Sequence, residues 1–506
     1  MGQRSEDART AGRGLVFIAG AKAYFIVTAY AVHLLLPRLF GSKEVYGLFS
    51  TALGLASILN NVLIAATVQT VSKFVSANEP GAPAALRQAL VLQFLFGGVL
   101  SVLLIAAAPF IGTLEHDQAI VPLLRVTASV VFAYALYAAL VGSLNGRRLF
   151  HVQAGLDATF STLRTVGLLV GAAAGVGAIG ALGGFSIAAA AILFVALLVV
   201  GLGRSGQAPP LRQWLGFMAP ILLYQACLNG ILLVDMQLLK STAAELAMGA
   251  GMTAEQAAAV ASGHVGIYSA AQKFALVPYQ LMLSMTFVVF PMISRATSAG
   301  DLAATRATIR AAMRFSLIVL AAASAPIAGA ANGVMRIAYP EEYLVGSNAL
   351  AVLVVGAAAF ALFVVTTTVL SGAGRPAVSM TIAAGALVVV VVANLVFVRS
   401  VGLGDDTAVA TAAATSLGML VALTAGGFVV HRLFGAFIAP ITALRVLVAG
   451  AVAFGVARAI PHETRPMALV AILSAFAAYA VTLVVLREIG PRDRETLARI
   501  LRRKSS

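Results

Sequence analysis

Charge is scarce in this chain: only 10% of its 506 residues are Asp, Glu, Lys or Arg, where a soluble domain carries about 25%. So few charged groups cannot clothe a water-facing surface, which excludes an ordinary soluble fold and makes lipid the solvent. Cysteine is nearly absent too. Cys227 stands alone in an apolar segment, so no intrachain disulfide can form. Six scattered histidines, with no H-E-x-x-H, CxxC or phosphate-binding P-loop, give no sign of an enzyme, a metal site or a cofactor. GLGDD (402–406) follows no strand and reads as a helix-end loop. Without a nucleotide-binding domain, an ATP-hydrolysing pump would need a second subunit.

What the chain has instead is apolar length. Hydrophobic residues make up 60% and the mean hydropathy is +0.97. The apolar runs last 20–30 residues without the alternation of barrel strands, which leaves helices that satisfy their own backbone. At about 20 residues per crossing, the chain reads as an all-α polytopic membrane protein with about fourteen transmembrane helices. They lie near 14–37, 45–70, 87–112, 118–143, 151–176, 179–203, 214–239, 264–293, 312–334, 346–371, 376–399, 407–430, 439–460 and 466–487. Two connections look long, 240–263 and the charged 294–311, and RSGQAPPLRQ (204–213) reads as a linker between halves. The basic start (Arg4, Arg9, Arg13) runs into an apolar stretch with no A-x-A site, so the first helix is expected to remain as a signal anchor.

The net charge of +15 follows from topology. With the N-terminus inside, 22 of the 34 Lys and Arg fall on the cytoplasmic side, seven opposite and five within spans. That bias supports an even number of spans with both termini cytoplasmic, and an inner (cytoplasmic) membrane location in a bacterium. No nucleic acid is needed to explain the basicity. The tail 490–506 reads either as an amphipathic helix on anionic lipid, through Leu497, Ile500 and Leu501, or as a solvated topogenic segment.

The halves echo each other. YGLFSTA (46–52) matches VGIYSAA (265–271) at an offset of 219, and SLNGR (143–147) matches SGAGR (371–375) at 228. Both fall at equivalent positions if helices 1–6 and 7–12 are parallel repeats, a transporter design with the substrate path between halves. The expected domains are an N-lobe (1–203), the linker 204–213, a C-lobe (214–430), two further helices (431–488) and a basic tail (489–506).

LLLPRLFGSKEVYGLFSTALGLASIL (34–59) resembles the opening of the polysaccharide-export and oligosaccharide-flippase proteins of the multidrug/oligosaccharidyl-lipid/polysaccharide flippase superfamily. GIYSAAQKFALVPYQLMLSMTFVVFPMISR (266–295), YPEEYLVGSNALAVLVVGAAAFALFVVTTTVLSGAGRP (339–376) and ANLVFVRSVGL (393–403) are similar to the family as well. The resemblance implies two six-helix lobes around a cavity open alternately to each side, and lipid-linked sugars as substrate. It also implies a lysine in the first helix, a basic residue in the eighth and an aspartate in the seventh.

A charge at the bilayer centre costs about 2.5–3.5 kcal/mol on insertion scales, so charges within spans are candidate site residues. Lys22 lies about 12 Å into the first helix at 1.5 Å per residue and either lines the cavity or snorkels. Arg164 and Asp157, seven residues apart, share one face of the fifth helix without being able to pair; Ser161 and Gln153 extend that stripe. They belong either to the cavity or to a buried interhelical network. Lys273, with Gln272 beside it, would complete a cationic ring with Lys22 and Arg164, suited to a pyrophosphate. Asp235 binds a coupling ion, pairs with Lys240 or caps a helix end. Asn60 and Asn61 are candidate cavity hydrogen-bonders, with helix–helix adhesion as the alternative. Arg125 and Arg445 read as snorkelling, and Pro220, Pro278, Pro291 and Pro326 as places where helices bend.

The function these features imply is translocation of a polyprenyl-pyrophosphate-linked oligosaccharide across the inner membrane by alternating access, for exopolysaccharide, O-antigen or capsule synthesis. Its partners are membrane lipid, the lipid-linked sugar, and polymerases or glycosyltransferases. The alternatives are a lipid II flippase, disfavoured by Lys22-Ala23 where that subfamily has Arg-Asp, and a multidrug/cation antiporter, disfavoured by the net basic interior. A membrane scaffold would not require buried charges in both halves.

Overall fold

The computed structural model describes residues 20, 23–204, 206–461, 463–488 and 490. Among them the chain is helical, with no strand. Twelve helical stretches are long and apolar enough to cross a membrane. One, Phe150–Val200, is a hairpin rather than a single rod, because Gly175 (φ 76°) and Gly177 (φ 65°) take a left-handed backbone that L side chains resist. Lys22 and the expected tail helix lie outside the described residues.

Two compact units divide the chain, residues 1–269 and 270–506. In the first, α1 (Ala23–Phe40) precedes α2 (Lys43–Ala77), capped by Ser42, whose hydroxyl accepts from the Val45 amide. Then follow α3 (Ala82–Leu114), α4 (Ile120–Gly146), α5 (Phe150–Gly171), α6 (Gly177–Val200) and α7 (Leu211–Gly249). The helix α8 (Ala254–Ala275) crosses into the second unit, which continues with α9 (Val277–Ser298), α10 (Leu302–Gly329), α11 (Ala331–Ala338) and a 3-10 turn (Glu341–Gly346). The last five are α12 (Ser347–Gly372), α13 (Pro376–Val401), α14 (Thr407–Phe434), α15 (Pro440–Ala459) and α16 (Arg465–Val485).

Three sequence expectations need correction. The connection 240–263 is mostly helix: α7 runs on to Gly249 and α8 starts at Ala254. The charged 294–311 holds only a three-residue break, since Asp301 caps α10 by accepting from the Ala304 amide at 2.9 Å. The expected span 264–293 is two helices meeting at Leu276. Pro278 has no N–H to give the Phe274 carbonyl, so one helix stops and another begins. Polar side chains on a long helix looked like loop in the sequence because hydropathy marks lipid contact, not helicity.

In the first unit the helices touch through backbone. A methyl placed on Gly167 would lie 2.3 Å from the Gly184 carbonyl oxygen, and one on Gly171 2.0 Å from that of Gly180, which closes the α5–α6 hairpin. The two copies of the sequence repeat also meet here. A methyl on Gly47 would lie 1.7 Å from the Ser262 carbonyl oxygen, and one on Gly266 2.1 Å from that of Lys43. Ser269 Oγ donates to Ser50 Oγ at 3.0 Å, and the two serines are 219 residues apart, as are Gly47 and Gly266, and Lys43 and Ser262. The linker packs on α3: the Arg204 amide donates to the Pro83 carbonyl at 3.1 Å, and Gln88 Nε2 to that of Pro209 at 3.0 Å.

In the second unit, α15 and α16 pack on α10 with alanines. Ala449, Ala453, Ala457, Ala471 and Ala475 are fully buried, and Tyr479 donates to the Ile318 carbonyl at 2.9 Å. A polar clamp secures their ends. Glu488 accepts from Arg314 Nε at 2.7 Å, Arg445 Nη1 at 3.2 Å and Thr442 Oγ1 at 3.1 Å. Arg445 is therefore ion-paired, not snorkelling: the acid that binds it lies 43 residues away in sequence. Burial would raise the Glu488 pKa, but the hydrogen bonds from Arg314, Arg445 and Thr442 outweigh it and hold the carboxyl below its usual range.

Gly47→Val is expected to destabilise the protein by about 1–3 kcal/mol, because the added carbons meet backbone that cannot yield. Gly155→Ala, into open space, should be neutral or slightly stabilising in the same thermal unfolding assay in nanodiscs. Since its folded pKa is lowered, the Glu488 contribution is present above the ordinary carboxyl range and fades as pH falls through the lowered value. Hydrogen-exchange protection over 440–485, corrected for the intrinsic pH dependence of amide exchange, should fall under acid in the wild type. In Glu488→Gln that protection should be low and independent of pH.

Candidate functional site

Within the first unit, α1, α4 and α5 bring together an array of polar and aromatic side chains. The Arg164 guanidinium lies 4.3 Å over the Phe25 ring, a cation–π contact that fixes a planar cation against α1. One turn back along α5, the Tyr24 hydroxyl and Thr162 Oγ1 are 2.9 Å apart, and Thr28 bonds Ser161. Two tyrosines of α4, three residues apart, serve the two charges of α5. Tyr134 lies within electrostatic reach of Arg164, and the Tyr137 hydroxyl donates to Asp157 Oδ1 at 3.3 Å. Phe160, edge-on to Tyr134 at 5.2 Å, spaces the pair.

Arg164 and Asp157 thus sit on one helix face without pairing, as their spacing requires. No carboxylate lies within ion-pair distance of Arg164 among the described residues, and its Nε has no hydrogen-bond partner there. The side chain is half-buried. A guanidinium with no acidic partner among the described residues has donors left that could meet an anion.

A second polar group joins α2 and α7. Asn61 Nδ2 donates to Asn229 Oδ1 at 3.0 Å, and Asn229 Nδ2 donates back to the Gln225 carbonyl at 2.9 Å. Asn61 stands near the midpoint of α2 and is exposed. Asn60 is buried, with no partner for Oδ1 among the described residues. Asp235 is fully buried on α7 and accepts from the Tyr268 hydroxyl of α8 and from the Met236 amide at 2.8 Å. It does not pair with Lys240: that lysine reaches Asp117 at 2.7 Å.

In the second unit, Gln272 is buried and Lys273 half-buried in the last turn of α8, just before the Leu276 break. Lys273 is therefore placed where the carbonyl end of a helix favours a cation. Sequence reasoning missed Phe25, Tyr134 and Tyr137, which look like ordinary apolar helix residues. It also missed Glu115 and Asp117, which look like surface acids of a short loop.

No protein-family model and no curated protein matches the sequence. The all-helical fold is shared with solved structures of a flippase and of transporters of the multidrug/oligosaccharidyl-lipid/polysaccharide superfamily. The lipid II flippase MurJ in an inward closed conformation superposes with TM-score 0.76 at 14% identity, over 94% of this chain and 99% of that one. An inward-facing multidrug resistance MATE transporter gives 0.65 at 16%, over 80% and 95%. A superfamily transporter from Pyrococcus furiosus, described as having a binding pocket of reversed polarity, gives 0.53 at 17%, over 83% and 96%.

Arg164→Lys keeps the charge but loses the flat face that lies on Phe25. It should cost about 0.5–1 kcal/mol of stability by thermal unfolding, and Phe25→Leu should cost a similar amount. The double variant should cost less than the two combined.

Proposed function

We infer that the protein is a flippase that moves a polyprenyl-pyrophosphate-linked oligosaccharide across the bacterial inner membrane by alternating access, both termini being cytoplasmic. The observation that carries this reading is Arg164: half-buried, held on Phe25 and without an acidic partner among the described residues. A pyrophosphate has two negative charges and planar oxygen pairs, which suit a guanidinium held in place before the ligand arrives. Lys22 and Lys273 are proposed as further phosphate ligands, and Asn60, Asn61 and Gln272 as hydrogen-bonders to sugar or phosphate. Asp157, which accepts from Tyr137, and Asp235, which accepts from Tyr268, are each a structural partner or an ion-coupling site.

Lipid II as substrate is the second reading. What favours it is the match to MurJ over nearly the whole of both chains, at a higher TM-score than the MATE transporter reaches. Its headgroup carries the same pyrophosphate, so Arg164 serves either substrate equally.

Proteoliposomes loaded with fluorescent lipid-linked oligosaccharide or lipid II separate the two. Wild-type protein should flip the oligosaccharide form faster. Arg164→Ala, Lys22→Ala and Lys273→Ala should each slow it roughly tenfold or more, the worth of one charge-assisted hydrogen bond. Equal flipping by wild type and all three variants would sink the cationic-site reading. Faster flipping of lipid II would select the second.

A further inference from the structure

Where the α3–α4 connection meets α7, three ionisable groups lie out of water. Glu115 is 4% exposed, Asp117 8% and Lys240 0%. They are held by ordinary backbone means. Glu115 closes α3, its amide donating to the Ile111 carbonyl at 2.8 Å, and Asp117 Oδ1 accepts from the Ala119 amide at 2.9 Å as α4 begins. Between them His116 turns the chain through a left-handed φ of 53°. Lys240 arrives from α7 and donates to Asp117 Oδ2 at 2.7 Å.

One lysine and two carboxylates do not balance. The Asp117–Lys240 pair is neutral as a unit, so an ionised Glu115 would be a net buried charge, which is expensive. Its Oε2 has no hydrogen-bond partner among the described residues. The charges acting on it are Lys240 on α7 and Asp117 on its own connection. The other titratable groups nearby are His116 next in sequence, Glu245 five residues further along α7, and Asp235 with Tyr268 five residues back. Arg125 on α4 is exposed.

We propose that Glu115, beside the Asp117–Lys240 pair, is a proton-binding site that is filled while α7 is docked on the α3–α4 connection and emptied when they part. This rests on the alternating-access reading, with α7 as the opening helix of the expected C-lobe and the connection part of the expected N-lobe, although both lie in one compact unit in this conformation. Charge bias assigns this end of the helices to the outer side, so the proton comes from and returns to the outer solution.

Burial pushes the Glu115 carboxyl up to about 8; Lys240 pulls it down and Asp117 pushes it further up. Once α7 leaves, water reaches Glu115 and its pKa returns to the ordinary carboxyl range. Docking therefore takes up one proton at neutral pH. The docked state gains as pH falls below 8, and the parted-to-docked ratio rises about tenfold per pH unit between the ordinary carboxyl range and 8, levelling above it.

The test uses full-length protein in nanodiscs. Infrared titration from pH 5 to 10 should show a protonated-carboxyl band that disappears near pH 8 and is missing in Glu115→Gln. In parallel, Ala244→Cys, in a Cys227→Ser background, places a thiol at a fully buried position on α7 one turn past Lys240. Its labelling by a membrane-impermeant maleimide is divided by the rate of the same cysteine in Glu115→Gln, which cancels thiol ionisation. That ratio should climb with pH up to 8 and then level. A missing band, a band retained in Glu115→Gln, or a ratio indifferent to pH overturns the proposal. Should Glu115→Gln fail to fold, Lys240→Gln replaces it. Loss of the lysine charge must move the midpoint upward, and an unmoved midpoint assigns the band to another carboxyl and defeats the site. A titrating band without flipping of any lipid-linked sugar supports the proton site and sinks the transport reading. Flipping without a titrating band does the reverse.

Discussion

Backbone-to-backbone approach is the interaction on which the rest of this structure depends. In lipid, packing one leucine on another gains little over packing it on an acyl chain, so helices adhere where side chains are small enough for main chains to meet. Gly47 with Gly266, Gly167 with Gly184, Gly171 with Gly180, and the alanines of α15 and α16 are such places. At Gly356 the partner is Ser416, whose Oγ would lie 2.3 Å from an added methyl, and at Gly418 it is Val390, 2.2 Å away. Large apolar side chains point outward instead: Phe110, Ile187, Leu198, Leu447 and Leu473 are all more than 60% exposed and serve as lipid contacts.

The sequence made the architecture legible because hydropathy reports directly on lipid contact. Helical identity and the break after the fifth span could both be read from residue type and order. Helix ends outside the hydrocarbon could not. The last ten residues of α7 and the first ten of α8 carry polar groups that look like loop, although their backbones satisfy themselves as helix.

Charges were legible as positions but not as partnerships. The spacing of Asp157 and Arg164 put them on one face, yet nothing in it named Tyr137 or Phe25, which come from other helices. Lys240 lay next to a nearer acid in sequence, Asp235, but chose one 123 residues away. Arg445 met Glu488 for the same reason: partners in a bundle are set by which helices are neighbours and at what depth, and one chain's pattern does not contain that information.

The 219-residue correspondence at the α2–α8 crossing has the form of an isologous interface. Gly47 receives the Ser262 carbonyl just as Gly266 receives that of Lys43, and Ser50 and Ser269 close on each other between them. Such reciprocity is the mark of a two-fold homodimer, in which one patch binds its own copy. Here both patches lie in one polypeptide. Joining the copies turns a concentration-dependent association into a permanent one, and frees each copy to change alone everywhere except on the axis, where any new side chain must still fit against its counterpart.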